Sequence, residues 1–288
     1  MAYAARAEGV EIVAVDAMQV YRRMDIGTAK PSQADRDSVR HHCVDLAEPS
    51  DEFAVTDFER AGSRALADIA GRRGEAVLVG GTGLYLRSLT DPMEIPGRWP
   101  GLRDELERRA AVEGTEVLHA ELAALDPLAA GRMEPSNQRR VARALEVTLG
   151  SGRLFSSFGP GLDQYPPVPF RQVGLQWRRE VLTRRIGERV HRMMVAGLLA
   201  EVAGLLSSPQ RLSRTAAQAL GYKELIDHLE GGVSLDEAVA AIILRTRQFA
   251  VRQERWFRRD PRIRWVQIER DPVDEVLPIL LDHSLHDR

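Results

Sequence analysis

The chain has 288 residues, 44% of them apolar, and a formal net charge of −2. This size allows one large core or a core with an insertion, while the near-neutral charge excludes a global basic field for nucleic acid. A single cysteine, Cys43, excludes an intrachain disulfide and a CxxC zinc site. No apolar run approaches the roughly 18 residues of a membrane span and no signal-peptide pattern is present, so a cytoplasmic protein is expected.

The N-terminal third carries strand, helix and strand patterns in turn. Short β-branched apolar runs at residues 11–15 and 76–79 are typical of buried parallel strands. Between them, residues 56–59 (TDFE) match a capping box and predict a helix through Ile69, ended by Gly71. This order predicts a βαβ unit.

The remainder is predicted to be mainly helical, because apolar residues recur at three- and four-residue steps. A glycine- and proline-rich loop over residues 150–169 separates two helical parts. The predicted helices cover residues 102–125, 137–149, 182–206 and 216–229 and a segment that begins at the capping box of Ser234, and the predicted strands cover residues 170–177 and 263–268.

The element order predicts an α/β fold with a parallel sheet core. Residues 1–91 are expected to form the first part of this core, and residues 92–135 a helical insertion. Residues 136–288 are expected to supply the remainder of the core and a helical C-terminal part.

Polar residues follow both predicted N-terminal strands. Asp16 comes directly after the first, in residues 15–21 (VDAMQVY), and a glycine-rich turn follows the second, in residues 80–85 (GGTGLY). Open α/β sheets bind ligands at the carboxyl ends of their strands, and a buried, unpaired carboxylate is costly. Asp16 is therefore either a reactive group in a cleft or a turn residue. The glycines indicate either a ligand-binding loop or a tight connection.

Basic helical segments follow at residues 139–146 (RRVARALE), 220–224 (LGYKE) and 245–259 (RTRQFAVRQERWFRR). The planar guanidinium group suits phosphate oxygens, although a solvated helix face is the usual alternative. In the last segment one face is predicted to pack on the core. The residues of this face are Ile242, Ile243, Phe249, Ala250, Trp256 and Phe257.

Taken together and in this order, these segments resemble the tRNA dimethylallyltransferases, over about residues 11–268. Members of that family move an isoprenoid group from its diphosphate to the exocyclic amine of an adenine beside the anticodon. The resemblance implies a P-loop-NTPase-like core, a tRNA-contacting helical insertion and Mg²⁺ as cofactor. It also implies the tRNA anticodon stem-loop and dimethylallyl diphosphate as partners of a monomer.

The resemblance also assigns roles to residues. Asp16 is implied as the general base that accepts the amine proton, and Thr82 as a catalytic residue facing the modified nucleotide. Alternatives remain for Arg103, as a solvated helix residue, and for Tyr222, as a core tyrosine. The residues implied to bind tRNA are Asp16, Ala17, Met18, Gln19, Thr82, Arg103, Arg139, Arg140, Arg143, Tyr222, Lys223, Arg252, Gln253 and Arg255.

In the family, a first strand and a loop of the form GxxxxGK[ST] precede the segment of Asp16, and this sequence contains no such loop. A departing diphosphate needs backbone amides, a lysine and usually Mg²⁺. In the family these groups come from the loop, so the residues that would bind the diphosphate and the metal are not identified in this sequence. Without the strand, neighbouring sheet edges are expected to be exposed.

Three hypotheses follow from this difference. The first is a transferase whose recorded N-terminus is incomplete, and the second is a truncated, non-catalytic tRNA-binding relative. The third is a P-loop nucleotide kinase, which would need the same loop and would leave the RNA-facing motifs unexplained.

Overall fold

A computed structural model describes residues 9–159 and 161–281, which form two compact units. Unit 1 comprises the described residues up to Thr90 and from Pro167 onward, and unit 2 comprises Asp91–Pro166. Unit 2 therefore begins at the predicted insertion but continues past its predicted end at residue 135. The reason is that the helix starting at Gln138 packs on the helices of unit 2.

The first sheet of unit 1 has three parallel strands in the order β2-β1-β3. The predicted βαβ unit is confirmed, because β1 and β3 are neighbouring parallel strands and helix α2 lies in the chain between them; this connection also contains α1 (Gln33–Ser38) and β2. The helix begins earlier than the predicted capping box at residues 56–59: the N-cap residue is Ala54, which has no polar side chain, and the Asp57 carboxylate accepts the Ala54 amide at 3.0 Å. The elements are β1 (Val10–Val15), β2 (His41–His42), α2 (Val55–Gly71) and β3 (Glu75–Gly80).

A second sheet in unit 1 contains only β4 (Gln172–Trp177) and β5 (Ile263–Ile268), which are parallel. The last strand therefore pairs with β4, and no ladder joins β3 to β4 within the described ranges. Among the described strands β3 and β4 are edge strands, and Val79 in β3 and Leu175 in β4 are 50% and 49% exposed.

Three helices predicted as continuous are each divided at a glycine. Gly114, Gly197 and Gly221 have φ values of +94°, +99° and +90°, which interrupt a right-handed helix. The apolar spacing continues across each break, so the periodicity alone does not reveal it. The resulting helices are α4 (Pro100–Glu113), α5 (Thr115–Leu125), α8 (Arg179–Val195), α9 (Leu198–Leu206), α10 (Arg214–Ala217) and α11 (Tyr222–Leu229).

The remaining helices include the long arginine-rich α12, whose start at Ser234 agrees with its predicted capping box: the Glu237 carboxylate accepts the Ser234 amide at 2.8 Å. Four short or C-terminal helices, α1, α3, α6 and α13, and strand β2 were not predicted. These other helices are α1 (Gln33–Ser38), α3 (Gly83–Thr90), α6 (Pro127–Ala130), α7 (Gln138–Ser151), α12 (Leu235–Phe257) and α13 (Pro272–Leu281).

Each unit has its own apolar core. In unit 1, Phe58 from α2 and Leu198 from α9 are buried with the side chains of β1. In unit 2, Leu106, Leu122 and Leu145 from three different helices are buried together. In the part of the chain that the structure describes, no helix has both the length and the apolar character to cross a membrane.

Candidate active site

The turns that follow β1 and β3 meet at the carboxyl edge of the first sheet. The two strands pair in register, with Val15 opposite Gly80, so Asp16 and Gly81 leave neighbouring strands at the same level. The Thr82 amide donates to the Val15 carbonyl at 3.3 Å, and the Ala17 amide donates to Thr82 Oγ1 at 3.1 Å. The structure therefore brings the two predicted catalytic residues together where α/β sheets bind ligands.

Helix α12 packs directly on the backbone of the glycine-rich turn. A Cβ atom on Gly81 would overlap the side-chain nitrogen of Gln253, and one on Gly83 would overlap the indole nitrogen of Trp256. Gln253 Nε2 also donates to the Gly81 carbonyl at 2.9 Å. The glycines thus allow the arginine-rich helix to support the turn that carries Thr82.

The two oxygens of the Asp16 carboxylate have different surroundings. Its Oδ1 accepts the Met18 amide at 2.8 Å and the Gln19 amide at 3.2 Å, which fixes the side chain in a turn. Within the described residues no hydrogen bond reaches Oδ2, and the residue is half-buried. One oxygen holds the turn, and the other is able to accept a proton.

Arg189, on α8, is a cation near this carboxylate that the sequence analysis did not identify. Desolvation lowers the pKa of the Arg189 guanidinium, while the charge of Asp16 raises it and that of Arg192 lowers it. The spacing of Arg185, Arg189 and Arg192 places them on one face of α8. This spacing is the signal that sequence reasoning missed.

Gln19 is held by the loop that follows it. Its Nε2 donates to the Thr28 carbonyl at 3.1 Å and to the Ala29 carbonyl at 3.4 Å. The carbonyl oxygen of the side chain is therefore the atom available to a ligand, and it is an acceptor. Ala17 and Met18, also predicted to bind tRNA, are half-buried against the core of unit 1.

Tyr222 lies in the core and not on a surface. It is 1% exposed, and its hydroxyl donates to Glu201 Oε1 at 2.6 Å. Burial raises the pKa of the Tyr222 phenol, and the hydrogen bond to Glu201 raises it further. The structure thus supports the core alternative, because a buried ring cannot stack on an RNA base; Lys223 beside it is half-buried.

The outer face of α12 presents Arg252 and Arg255, which are exposed as an RNA-binding role requires. Gln253 instead contacts the Gly81 turn, so its position favours support of the site over contact with tRNA. Phe249, predicted to pack on the core, is 45% exposed, and the Arg252 guanidinium lies 6.0 Å from its ring centre. The other residues of the predicted face are buried or half-buried, and Trp256 packs on Gly83, so the prediction from apolar spacing is wrong at Phe249 only.

In unit 2, the predicted RNA-binding arginines fall into two groups. Arg139 and Arg140 are exposed at the start of α7. Arg143 and Arg103 instead pair with the buried carboxylate of Glu146, at 2.9 Å and 3.8 Å. Glu146 is 3% exposed, so these two side chains compensate a buried charge in addition to any contact with RNA.

The described residues do not form a magnesium site of their own. Among them, no three His, Cys, Asp or Glu side chains lie close enough together to hold a metal ion. Mg²⁺ in proteins is usually held by one or two carboxylates and by substrate phosphates. A site of that kind needs no cluster of three protein ligands, so the predicted requirement for Mg²⁺ stays a prediction.

A parallel α/β core that brings a carboxylate and a hydroxyl together at the carboxyl edge of its sheet places the protein in the α/β class, with a candidate ligand site at that edge. Residues 19–260 match the family model described as IPP transferase. The chain belongs to this family.

Relatives and solved structures agree with this assignment. The chain is 48% identical over 262 residues to the tRNA dimethylallyltransferase of Geobacter metallireducens, covering 90% of this chain and 84% of that protein. A tRNA isopentenylpyrophosphate transferase structure from Bacillus halodurans aligns with a TM-score of 0.67 at 34% identity, covering 97% of this chain and 89% of the other. One from Staphylococcus epidermidis gives 0.70 at 30% identity, with 100% and 94% covered.

Proposed function

We propose that the protein transfers a dimethylallyl group from dimethylallyl diphosphate to N6 of the adenine on the 3′ side of the tRNA anticodon. The open Oδ2 of Asp16, beside Thr82 at the sheet edge, is the observation that carries this proposal. The relative at 48% identity is named a tRNA dimethylallyltransferase, which gives the acceptor and the transferred group.

The proposed reaction is a substitution at the allylic carbon. The N6 nitrogen of adenine forms a bond to C1 of the donor, and the C1–O bond breaks, so its electron pair leaves with the diphosphate. The proton on N6 passes to Oδ2 of Asp16, which the Met18 and Gln19 amides hold in place through Oδ1. Asp16 is thus the general base.

The neighbours of Asp16 supply recognition and charge. The Gln19 side-chain oxygen, an acceptor, suits the amine of adenine and not the carbonyl that guanine carries at the same position. The Thr82 hydroxyl accepts from Ala17 and keeps its own proton for a substrate atom. Arg189 lies within electrostatic reach of Asp16, where a negatively charged leaving group would also be attracted.

Transfer to an anticodon stem-loop RNA tests the proposal. The protein, expressed with whatever its gene encodes in frame ahead of Met1, is incubated with dimethylallyl diphosphate, Mg²⁺ and the RNA. Mass spectrometry is expected to show one added C5H8 unit, on the adenine 3′ of the anticodon only. Binding of the RNA without any transfer would support the alternative, a tRNA-binding protein that has no catalytic activity.

The proposed RNA surfaces predict a separation of affinity from turnover. Arg252→Ala and Arg140→Ala are each expected to weaken binding of any tRNA and to reduce the slope of log affinity against log salt by about one, because each removes a phosphate contact. Thr82→Ala is expected to lower transfer with little loss of affinity. Filter binding over a range of salt concentrations, with transfer measured in parallel, checks both.

Arg60→Ala is the matched control, because the Arg60 side chain on α2 is 70% exposed and outside the proposed surfaces. It is expected to leave the salt slope unchanged. If Arg252→Ala and Arg140→Ala behave like this control, these arginines form a solvated face and the RNA surface has been misplaced.

A further inference from the structure

The loop of residues 24–30 supports the side chain of Gln19. Both hydrogen bonds of Gln19 Nε2 end on carbonyls of this loop, those of Thr28 and Ala29. The direction of the Gln19 amide, and hence the position of its acceptor oxygen, therefore depends on where the loop lies. Whatever fixes the loop also fixes Gln19.

Glu201, from helix α9, holds this loop from its other end. Its Oε2 accepts the amides of Asp25 at 3.0 Å and Ile26 at 2.8 Å, and its Oε1 accepts the amide of Gly27 at 3.3 Å. Three successive backbone N–H groups form a concave anion site, which in this molecule a side chain fills. Bonds to an ionised acceptor are about twice as strong as neutral ones.

Tyr222 completes the arrangement beneath the loop. Its buried hydroxyl donates to Glu201 Oε1 at 2.6 Å, so the carboxylate receives four hydrogen bonds in total from Tyr222 and the three amides. A Cβ atom on Gly27 would overlap the Tyr222 ring, so the loop backbone lies directly on the ring. The loop is thereby held against both α9 and α11.

We propose that Glu201 is a positioning residue for recognition of the target adenine, acting through residues 25–29 on the side-chain oxygen of Gln19. This inference rests on the proposed function, because it takes the adenine as the ligand of Gln19. Glu201 itself touches no substrate in this arrangement, since its oxygens are engaged by Tyr222 and the loop amides.

Base preference in RNA binding measures this role without requiring transfer. Each protein is titrated with an anticodon stem-loop carrying adenine at the target position and with one carrying purine, which lacks the exocyclic amine. The parent is expected to prefer adenine about 2- to 10-fold, the range that one hydrogen bond provides. Glu201→Gln, which turns an amide donor toward the loop N–H groups, is expected to bring the ratio close to one.

A double-mutant cycle with Gln19→Ala separates positioning from general support of the fold. If Glu201 acts through Gln19, adding Glu201→Gln to Gln19→Ala changes the adenine preference no further. Glu188→Gln, which neutralises a 53% exposed carboxylate on α8, is the matched control and is expected to keep the parent ratio. Thermal unfolding confirms that each variant is folded.

The outcomes are distinct. Retention of the adenine preference by folded Glu201→Gln, or an independent effect in the Gln19→Ala background, overturns the inference. If Glu201→Gln does not fold, Tyr222→Phe decides: a reduced ratio supports the inference, and an unchanged one overturns it. A parent without any adenine preference contradicts the proposed adenine site itself, and the inference with it.

Discussion

Asp16→Asn is expected to lower the rate of dimethylallyl transfer by about 10²- to 10⁴-fold, the usual contribution of a general base. The asparagine side chain keeps an oxygen that can accept the Met18 and Gln19 amides, so the turn is retained. It cannot accept the N6 proton, so the loss is confined to the chemical step. Affinity for the stem-loop RNA is expected to stay within about twofold, since no charged contact with phosphate is removed.

Single-turnover transfer and filter binding, measured on the same preparations, check this expectation. Asp35→Asn is the matched control, because Asp35 caps the exposed helix α1 through Ser32 and lies outside the proposed site. Its transfer rate is expected to equal that of the parent. Unchanged transfer by Asp16→Asn would remove Asp16 from the role of base, and a parallel loss of transfer and RNA binding would make it a turn residue only.

The sequence predicted the strands that carry the candidate active site, because strand patterns are local signals. Apolar runs of strand length mark β1 and β3, and both lie within a residue of their predicted limits. Parallel neighbours end at the same edge, so the residues that follow them, Asp16 and Thr82, had to approach each other. The roles expected for Asp16 and Thr82 came from the family resemblance, and the βαβ pattern predicted that the two strands are parallel.

The parts of the fold and of the candidate site that the sequence did not predict depend on contacts between segments far apart in the chain. Glu201 lies on α9, and nothing in its local sequence indicates that it binds amides of residues 25–27. Tyr222 and Gln253 occur in motifs that suggested tRNA, and only the packing shows that one is buried and the other supports the Gly81 turn. The helix breaks at glycine were also not predicted, because the spacing of apolar residues carries no information about the backbone angle φ.

Lys30 is another residue whose environment the local sequence does not indicate, because a lysine at the end of a loop is ordinarily exposed. Its side chain is 1% exposed, and Nζ donates to the Tyr21 carbonyl at 2.6 Å, to Asp25 at 2.6 Å and to Asp45 at 2.7 Å. All three ammonium protons are therefore used. Glu201 binds the start of the loop of residues 24–30, and Lys30 anchors its end. The buried ammonium group of Lys30 therefore stabilises the same loop that positions Gln19.

Lys30→Met is expected to destabilise the protein by about 3 kcal/mol, the low end of the range for breaking a buried ion pair. The low end applies because Asp25 is 58% exposed and Arg36 still pairs with Asp45 at 2.6 Å. Methionine preserves most of the buried stem, so the change reports the lost charge. Urea unfolding at neutral pH measures it, and Lys223→Met, which alters a half-buried lysine, is the control, expected to cost below about 1 kcal/mol.

The pH dependence gives a second test of the same contact. Burial raises the pKa of Asp45, but hydrogen bonds from Lys30 and Arg36 outweigh burial and hold that pKa below its usual range. A carboxyl with a lowered pKa stabilises the fold above its unfolded pKa of about 3.9, and this stabilisation is lost as the pH falls through the folded value. Lys30→Met is therefore expected to lose less stability than the parent between about pH 5 and pH 3. An equal loss in both proteins would show that Lys30 does not hold the Asp45 carboxylate in its charged form.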